Sequence, residues 1–214
     1  EPIAAVAADH PETCRRALDA IIVHYEVLKP LTSIEDALNP NTPSIHPDGN
    51  VFRHQHILHG DANATGDIVV EGQYEIGMQD QAFLGLEAAL AYPDSDGSGI
   101  ELVVATQWLH EDQKQIADCL AMPQEKVRLK IGGVGGAFGA REDISLQVHT
   151  CLLALRTGRP VKMQYTREES FFGHVHRHPG VISLKHHVTK EGRIVKIEGT
   201  MKLDGGAYAS TSSA

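Results

Sequence analysis

The run Gly132-Gly133-Val134-Gly135-Gly136-Ala137-Phe138-Gly139-Ala140-Arg141-Glu142-Asp143 constrains the fold more than any other part of the chain. Glycine reaches positive φ and lets backbone N–H groups approach a ligand with no Cβ in the way. Its neighbours indicate what the run joins. Lys126 to Ile131 alternates apolar residues at Val127, Leu129 and Ile131 as a strand does, and Ile144, Val148, Cys151, Leu152 and Leu155 fall on one face of a predicted helix. Strand, glycine loop and helix N-terminus in that order make an anion-receptive geometry. Phe138 is the odd residue, a bulky group in a loop built for closeness. The plain alternative is a glycine-rich turn that only joins strand to helix.

Ordinary nucleotide loops do not fit the spacing. A P-loop requires G-x-x-x-x-G-K-[ST], and no Lys-Ser or Lys-Thr pair follows these glycines. The dinucleotide fingerprint G-x-G-x-x-G fails as well, because from Gly133 and Gly135 the third glycine position holds Phe138.

Elsewhere the pattern predicts Ile3 to Ala8 as a strand, then a helix capped by Asp9 or His10 with Pro11 in its first turn, then a strand through Val23, Tyr25 and Val27. Residues 39–66 are rich in Asn, Pro, His and Gly and lack sustained periodicity, as a linker would. Ile68 to Tyr74 and Leu102 to Ala105 read as strands, and Leu109, Ile116 and Leu120 mark a helix stopped by Pro123. Val161 to Tyr165, Val181 to Val188 and Ile194 to Met201 read as further strands, the last two joined by a Lys190-Glu191-Gly192 turn. Sequential antiparallel strands beside helices imply an α+β fold.

The formal net charge of -9 argues against a nucleic-acid partner. No segment is long and apolar enough to span a membrane, and no signal-peptide pattern opens the chain, so the cytoplasm is the default expectation. Cys14, Cys119 and Cys151 are too widely spaced for a disulfide framework or a cysteine metal site. Thirteen histidines include the alternating sets His54, His56, His59 and His174, His176, His178, with His186 and His187 adjacent. None has an acidic residue at the H-E-x-x-H spacing, so no protein-ligated metal is expected.

Gly135-Gly136-Ala137-Phe138-Gly139-Ala140-Arg141-Glu142 resembles the Gly-Gly-Gly-Phe-Gly-Gly-Lys-Glu loop of the xanthine dehydrogenase and aldehyde oxidase family, in the molybdopterin-binding subunit of those molybdenum hydroxylases. Ala137 and Ala140 stand where that loop has glycine. Gln81-Ala82-Phe83-Leu84-Gly85-Leu86-Glu87 resembles the family's Gln-Glu-His-Phe-Tyr-Leu-Glu at its leading Gln, at Leu86 and at its closing Glu. Thr106-Gln107, Thr157-Gly158-Arg159-Pro160-Val161, Thr166-Arg167-Glu168-Glu169 and Arg177-His178-Pro179 follow in the family's order, and Glu1-Pro2-Ile3 through Ile34-Glu35-Asp36-Ala37-Leu38 resembles the preceding small domain.

The resemblance implies residues 1–38 as the end of a small α/β hammerhead-like domain, residues 39–66 as a linker and residues 67–214 as the first molybdopterin-binding domain, incomplete at its C-terminal end. Cofactor contacts then fall to Gln81, Gly136, Phe138 and Gly139, substrate binding to Glu142, and Glu87 is expected to be structural. The implied cofactor is molybdenum-molybdopterin, in the cytosine dinucleotide form usual in bacterial members, with [2Fe-2S] clusters and FAD on other domains or subunits. These and the remainder of the molybdopterin subunit are the implied partners. The implied reaction is oxidative hydroxylation of a purine or related N-heterocycle with water as oxygen source. An aldehyde substrate, or a non-catalytic assembly role for the same fold, stays open. The family's general-base glutamate is expected beyond Ala214, so no catalytic residue is assigned here and the isolated chain is expected to be inactive.

Overall fold

The computed structural model describes residues 2–213; Glu1 and Ala214, the outer ends of the two terminal segments read above, lie outside the described residues. In chain order the elements are α1 (Pro11–Asp19), α2 (Ile34–Leu38), β1 (Ile68–Ile76), β2 (Ala88–Pro93), β3 (Ile100–Val104), α3 (Leu109–Leu120), β4 (Val127–Ile131), α4 (Gln147–Thr157), β5 (Val161–Gln164), α5 (Arg167–Gly173), β6 (Gly180–Val188) and β7 (Ile194–Leu203). They fall into two compact units, one of Glu1–Val27 with Asp80–His176 and one of Leu28–Gln79 with Arg177–Ala214. The architecture is mixed α/β with two open sheets.

The first unit carries a four-stranded sheet in the order β4-β3-β2-β5. β3 and β4 run parallel and are connected through α3, as a parallel pair requires, while β2 pairs antiparallel with β3 and β5. Ala89, Ala91, Ile100, Leu102, Val104 and Val127 from the strands meet Ile116, Ala117, Cys151 and Ala154 from α3 and α4 in the core. α3 ends where the chain enters the left-handed region at Ala121, whose N–H reaches back to the Ala117 and Asp118 carbonyls, with Pro123 following. β2 was not expected from the sequence. Its alanine-rich run favours helix intrinsically, but strands on both sides satisfy its backbone, and the small Ala89 and Ala91 let the helices lie close to the sheet.

Two sequence expectations fail in this unit. Of the strand-helix-strand predicted for residues 3–27 only the helix forms, with the His10 ring accepting from the Glu12 N–H and Pro11 in the first turn. A strand needs a partner for its ladder, and none of the described strands pairs with residues 3–8 or 23–27, whose Ile3, Tyr25 and Val27 are 61%, 67% and 88% exposed. The second difference concerns α4. It starts at Gln147, so Ile144 precedes it and the glycine loop does not run directly into its N-terminus. Its buried stripe is Gln147, Thr150, Cys151 and Ala154, and Leu152 is exposed. Both polar members are satisfied: Thr150 Oγ1 donates to Leu146 O at 2.8 Å and Gln147 Nε2 to Asp112 Oδ2 at 3.2 Å.

The second unit holds an antiparallel sheet in the order β1-β6-β7. β1 pairs with β6 from Ile68↔Val188 to Ile76↔Gly180, and β6 and β7 form a hairpin closed by Thr189 N–H to Arg193 O at 2.9 Å, with Gly192 at φ +84°. Residues 39–66 contain no helix or strand. Among the described residues no helix is long and apolar enough to cross a membrane.

Candidate functional site

Two segments some fifty residues apart in sequence lie against each other in the first unit. Phe83, 1% exposed, anchors the first. Around it two arginines grip successive carbonyls: Arg167 Nη2 donates to Phe83 O at 2.8 Å and Leu84 O at 3.2 Å, and Arg141 Nη2 donates to Gly85 O. The Arg141 guanidinium also sits 4.2 Å from the centre of the Phe83 ring, a cation–π arrangement. Gly85 N–H then donates to Gly135 O at 3.0 Å, which joins the Gln81–Glu87 segment to the glycine loop. This approach needs glycine on both sides, because a Cβ at Gly135 would lie 2.9 Å from the Gly85 Cα and N.

Three consecutive carbonyls of the glycine loop are engaged within the protein. Gly135 O takes the Gly85 N–H, Gly136 O takes Arg141 Nε at 3.0 Å, and Ala137 O takes the Ala140 N–H at 3.0 Å. Among the described residues, the amides from Gly133 to Gly139 find no acceptor within the protein. Positive φ at Gly136 (+101°), Phe138 (+53°) and Gly139 (+92°) produces this orientation. Consecutive free amides of this kind form a concavity suited to anionic oxygen. Beyond the loop, Thr106 and Gln107 splint its end: Gln107 N–H donates to Arg141 O at 2.9 Å, Gln107 Oε1 accepts the Arg141 N–H at 3.2 Å, and Gln107 Nε2 donates to Glu142 Oε1 at 3.4 Å.

Each residue singled out from the sequence now has a place. Gln81 is half-buried, and its Oε1 is buried with no hydrogen-bond partner. It follows Asp80, whose Oδ1 accepts the Ala82 N–H at 2.6 Å and holds the turn. Phe138 is 77% exposed, with its ring beside Gly136. Gly136 and Gly139 are loop residues of the left-handed kind, and Glu142 is half-buried and held by Gln107. Glu87 is buried at the far end of its segment. His54, His56 and His59 are exposed in the other unit.

Sequence reading missed the residues that assemble the site. Arg141 and Arg167 carry no motif-level signal for gripping carbonyls at Phe83, Leu84 and Gly85. Arg167 did stand in a legible frame, since Thr166 and Glu169 form a capping box that starts α5. Burial holds the Arg141 guanidinium below its ordinary pKa, with the nearby Glu87 carboxylate opposing that effect. Burial, with Glu87 and Glu169 nearby, likewise raises the Tyr165 phenol.

The sequence matches the molybdopterin cofactor-binding domain family over residues 45–214. It is 39% identical over 213 residues to the nicotinate dehydrogenase large molybdopterin subunit of Eubacterium barkeri, covering 98% of this chain and 50% of that protein. It is 35% identical to a probable xanthine dehydrogenase subunit of Bacillus subtilis, covering 100% of this chain and 29% of that one. The structure is similar to aldehyde oxidoreductase from Desulfovibrio gigas with a TM-score of 0.87 and 25% identity, over 92% of this chain and 22% of that one. The chain therefore spans about half or less of the length of these relatives.

Proposed function

The chain belongs to the molybdopterin-binding family of xanthine dehydrogenases and aldehyde oxidases, and from that premise we propose that it forms part of the cofactor site of a molybdenum hydroxylase acting on a purine or related N-heterocycle with water as the oxygen source. The observation that carries this reading is the loop from Gly133 to Gly139, whose carbonyls at Gly135, Gly136 and Ala137 are engaged within the protein and whose amides are free. Such a surface fits the anionic oxygens of a pterin-held metal. The orphaned Gln81 Oε1, on the segment bonded to the same loop, fits a polar group brought by that cofactor.

When bound, the cofactor supplies the redox chemistry of hydroxylation. The chain's own residues bind and orient. Gln81 offers an uncharged amide, so it can hydrogen-bond an oxygen beside the metal without adding charge. Gly136, Phe138 and Gly139 present backbone N–H groups, and Glu142, fixed by Gln107, is the group assigned to the heterocycle. Relatives named for nicotinate and for xanthine support an N-heterocycle, and xanthine or hypoxanthine is the first choice. The structural likeness to an aldehyde oxidoreductase supports an aldehyde as the second reading. The cytosine dinucleotide form, the [2Fe-2S] and FAD partners, a cytoplasmic location and the division at residues 38 and 66, with a hammerhead-like domain before the first and the molybdopterin domain after the second, belong to the same proposal.

The full-length protein, isolated from cells that make the cofactor, tests it. We expect stoichiometric molybdenum by plasma mass spectrometry, release of a pterin cytosine dinucleotide, and hydroxylation of xanthine or nicotinate in preference to aldehydes. Gln81→Ala should lower molybdenum content and turnover together, and residues 1–214 alone should turn over nothing. Full-length protein without molybdenum would leave only the assembly role.

A further inference from the structure

Directly behind Gln81 the first unit contains a side-chain cluster that the cofactor reading does not use. His174, whose side chain is 2% exposed, lies between two carboxylates: its Nδ1 is 2.7 Å from Glu87 Oε1 and its Nε2 is 3.0 Å from Asp80 Oδ2. The Nε2 of His176 is 3.0 Å from the same Asp80 oxygen and 3.0 Å from Phe171 O. The two imidazoles stack with centroids 4.9 Å apart and planes at 21°, and Phe83 covers the other side of His174 at 5.0 Å.

With both imidazoles neutral, the proton count of this cluster does not close. A neutral imidazole has one N–H and one lone pair, so His174 can donate to Glu87 or to Asp80 but not to both. If Nδ1–H faces Glu87, the Nε2 lone pair faces a carboxylate oxygen, which already faces His176. The contacts also lie off the hydrogen-bonding directions: Asp80 Oδ2, both oxygens of Glu87 and both ring nitrogens of His174 are buried without an aligned hydrogen bond. Asp80 Oδ1 is committed to the Ala82 N–H, which leaves Oδ2 for the cluster.

We propose that Asp80 Oδ2, His174 Nε2 and His176 Nε2 bind a zinc-like divalent cation, with Glu87 orienting His174. One ligand atom from each residue lies within 4.8 Å of the others. The 3.0 Å separations approach the edge of about 3.3 Å of a tetrahedron with ~2.0 Å bonds. Two imidazoles and a carboxylate suit zinc and neighbouring first-row ions. A carboxylate on the second ring nitrogen of a metal-bound histidine fixes its tautomer and orientation, which is the place Glu87 occupies. The ion would tie the segment before Gln81 to the segment after α5. The site rests on these three side chains alone and does not depend on the function proposed above.

The test uses the full-length protein, prepared both with and without molybdenum and stripped with a chelator. Zinc is added back and bound metal counted after equilibrium dialysis, with cobalt as the spectroscopic probe. The expected result is one zinc per chain in both preparations and the intense visible absorption of tetrahedral cobalt. Asp80→Asn and His176→Ala, which alter side chains 16% exposed, should abolish both signals. Glu87→Gln should weaken zinc binding about 10–100-fold. Absence of zinc binding in the wild type, or equal binding by both ligand variants, overturns the site. Loss of molybdenum alone, with zinc retained, would count against the cofactor reading and leave this one standing.

Discussion

Replacing Arg141 tests how the two site segments are held together. Its guanidinium donates to Gly85 O and to Gly136 O and covers the Phe83 ring at 4.2 Å, all at 5% residue exposure. A hydrogen bond from a charged donor contributes about 1.5–3 kcal/mol, and a desolvated cation–π contact about 0.5–2 kcal/mol. These contacts share one group and do not add, and the freed carbonyls recover some solvation, so Arg141→Met should cost about 3 kcal/mol of local stability. Arg141→Lys keeps the charge and one hydrogen bond but loses the planar fork and the stacking, and should cost about half as much. Amide exchange in the full-length protein reads this directly, because the Gly85 N–H makes the backbone bond between the segments. At 1.4 kcal/mol per tenfold, a peptide covering residues 83–88 should exchange on the order of 100-fold faster in Arg141→Met and roughly tenfold faster in Arg141→Lys. Exchange within threefold of wild type in Arg141→Met would refute the idea that this side chain clamps the loops.

Gly135→Ala should separate the loops, since its Cβ would sit 2.9 Å from the Gly85 backbone, at a cost of about 1–3 kcal/mol measurable by thermal melting; Gly133→Ala, which meets nothing within 4 Å, is the neutral control. Asp112 is fully buried, and burial raises its carboxyl above 3.8 against the hydrogen bonds from Thr106 and Gln147. The folded state therefore holds that proton more tightly than the unfolded chain, and stability falls as pH rises from the unfolded value through the raised one. Asp112→Asn should flatten that part of a melting-temperature profile against pH, and an unchanged slope would count against it. Burial pushes the Cys151 thiol up to about 12, so alkylation of the native protein at pH 8 should label exposed Cys119 and reach Cys151 only after denaturation, as mass spectrometry would resolve.

What could be read from the sequence was whatever repeats with a local period. β1, β3, β4, β5, β6, β7 and α3 all lie where apolar alternation or helical spacing put them; β3 and α3 do so by burying one face, whereas β1 and β7 stay largely exposed and are held by pairing with β6. Apolar pattern misled at residues 3–8, an unbroken apolar run, and at 23–27, where apolar residues alternate, because no neighbouring strand completes the ladder. β2 was invisible for the opposite reason, its alanines being helix formers that strand partners on both sides override. In the site, the glycine loop and Gln81 were legible as motifs. Arg141, Arg167 and Gln107 stood inside matching motifs too, but their contacts were not legible, since a side chain that bonds a distant carbonyl leaves no spacing to detect. The Asp80–His174–His176 cluster escaped for the same reason: its acidic member comes from a segment nearly a hundred residues earlier, outside any local ligand pattern.

That distant assembly explains which backbone groups of the loop are bonded and which are left free. A glycine-rich segment left to itself can turn either its carbonyls or its amides toward solvent, because without side chains the two orientations differ little in energy. Here the choice is made by groups outside the loop: Gly85 N–H takes one carbonyl and the Arg141 side chain another, and Arg141 is itself positioned by Phe83 and Gln107. Three carbonyls are claimed within the protein, while the amides from Gly133 to Gly139 are left without an acceptor among the described residues. It follows that the Gln81 segment is more than a sequence neighbour of the site; through Gly85 it claims one carbonyl of the glycine loop. Damage to either segment should therefore appear at both, and Gly135→Ala should raise exchange at Gly85 and lower the binding of any anion by the free amides in the same protein.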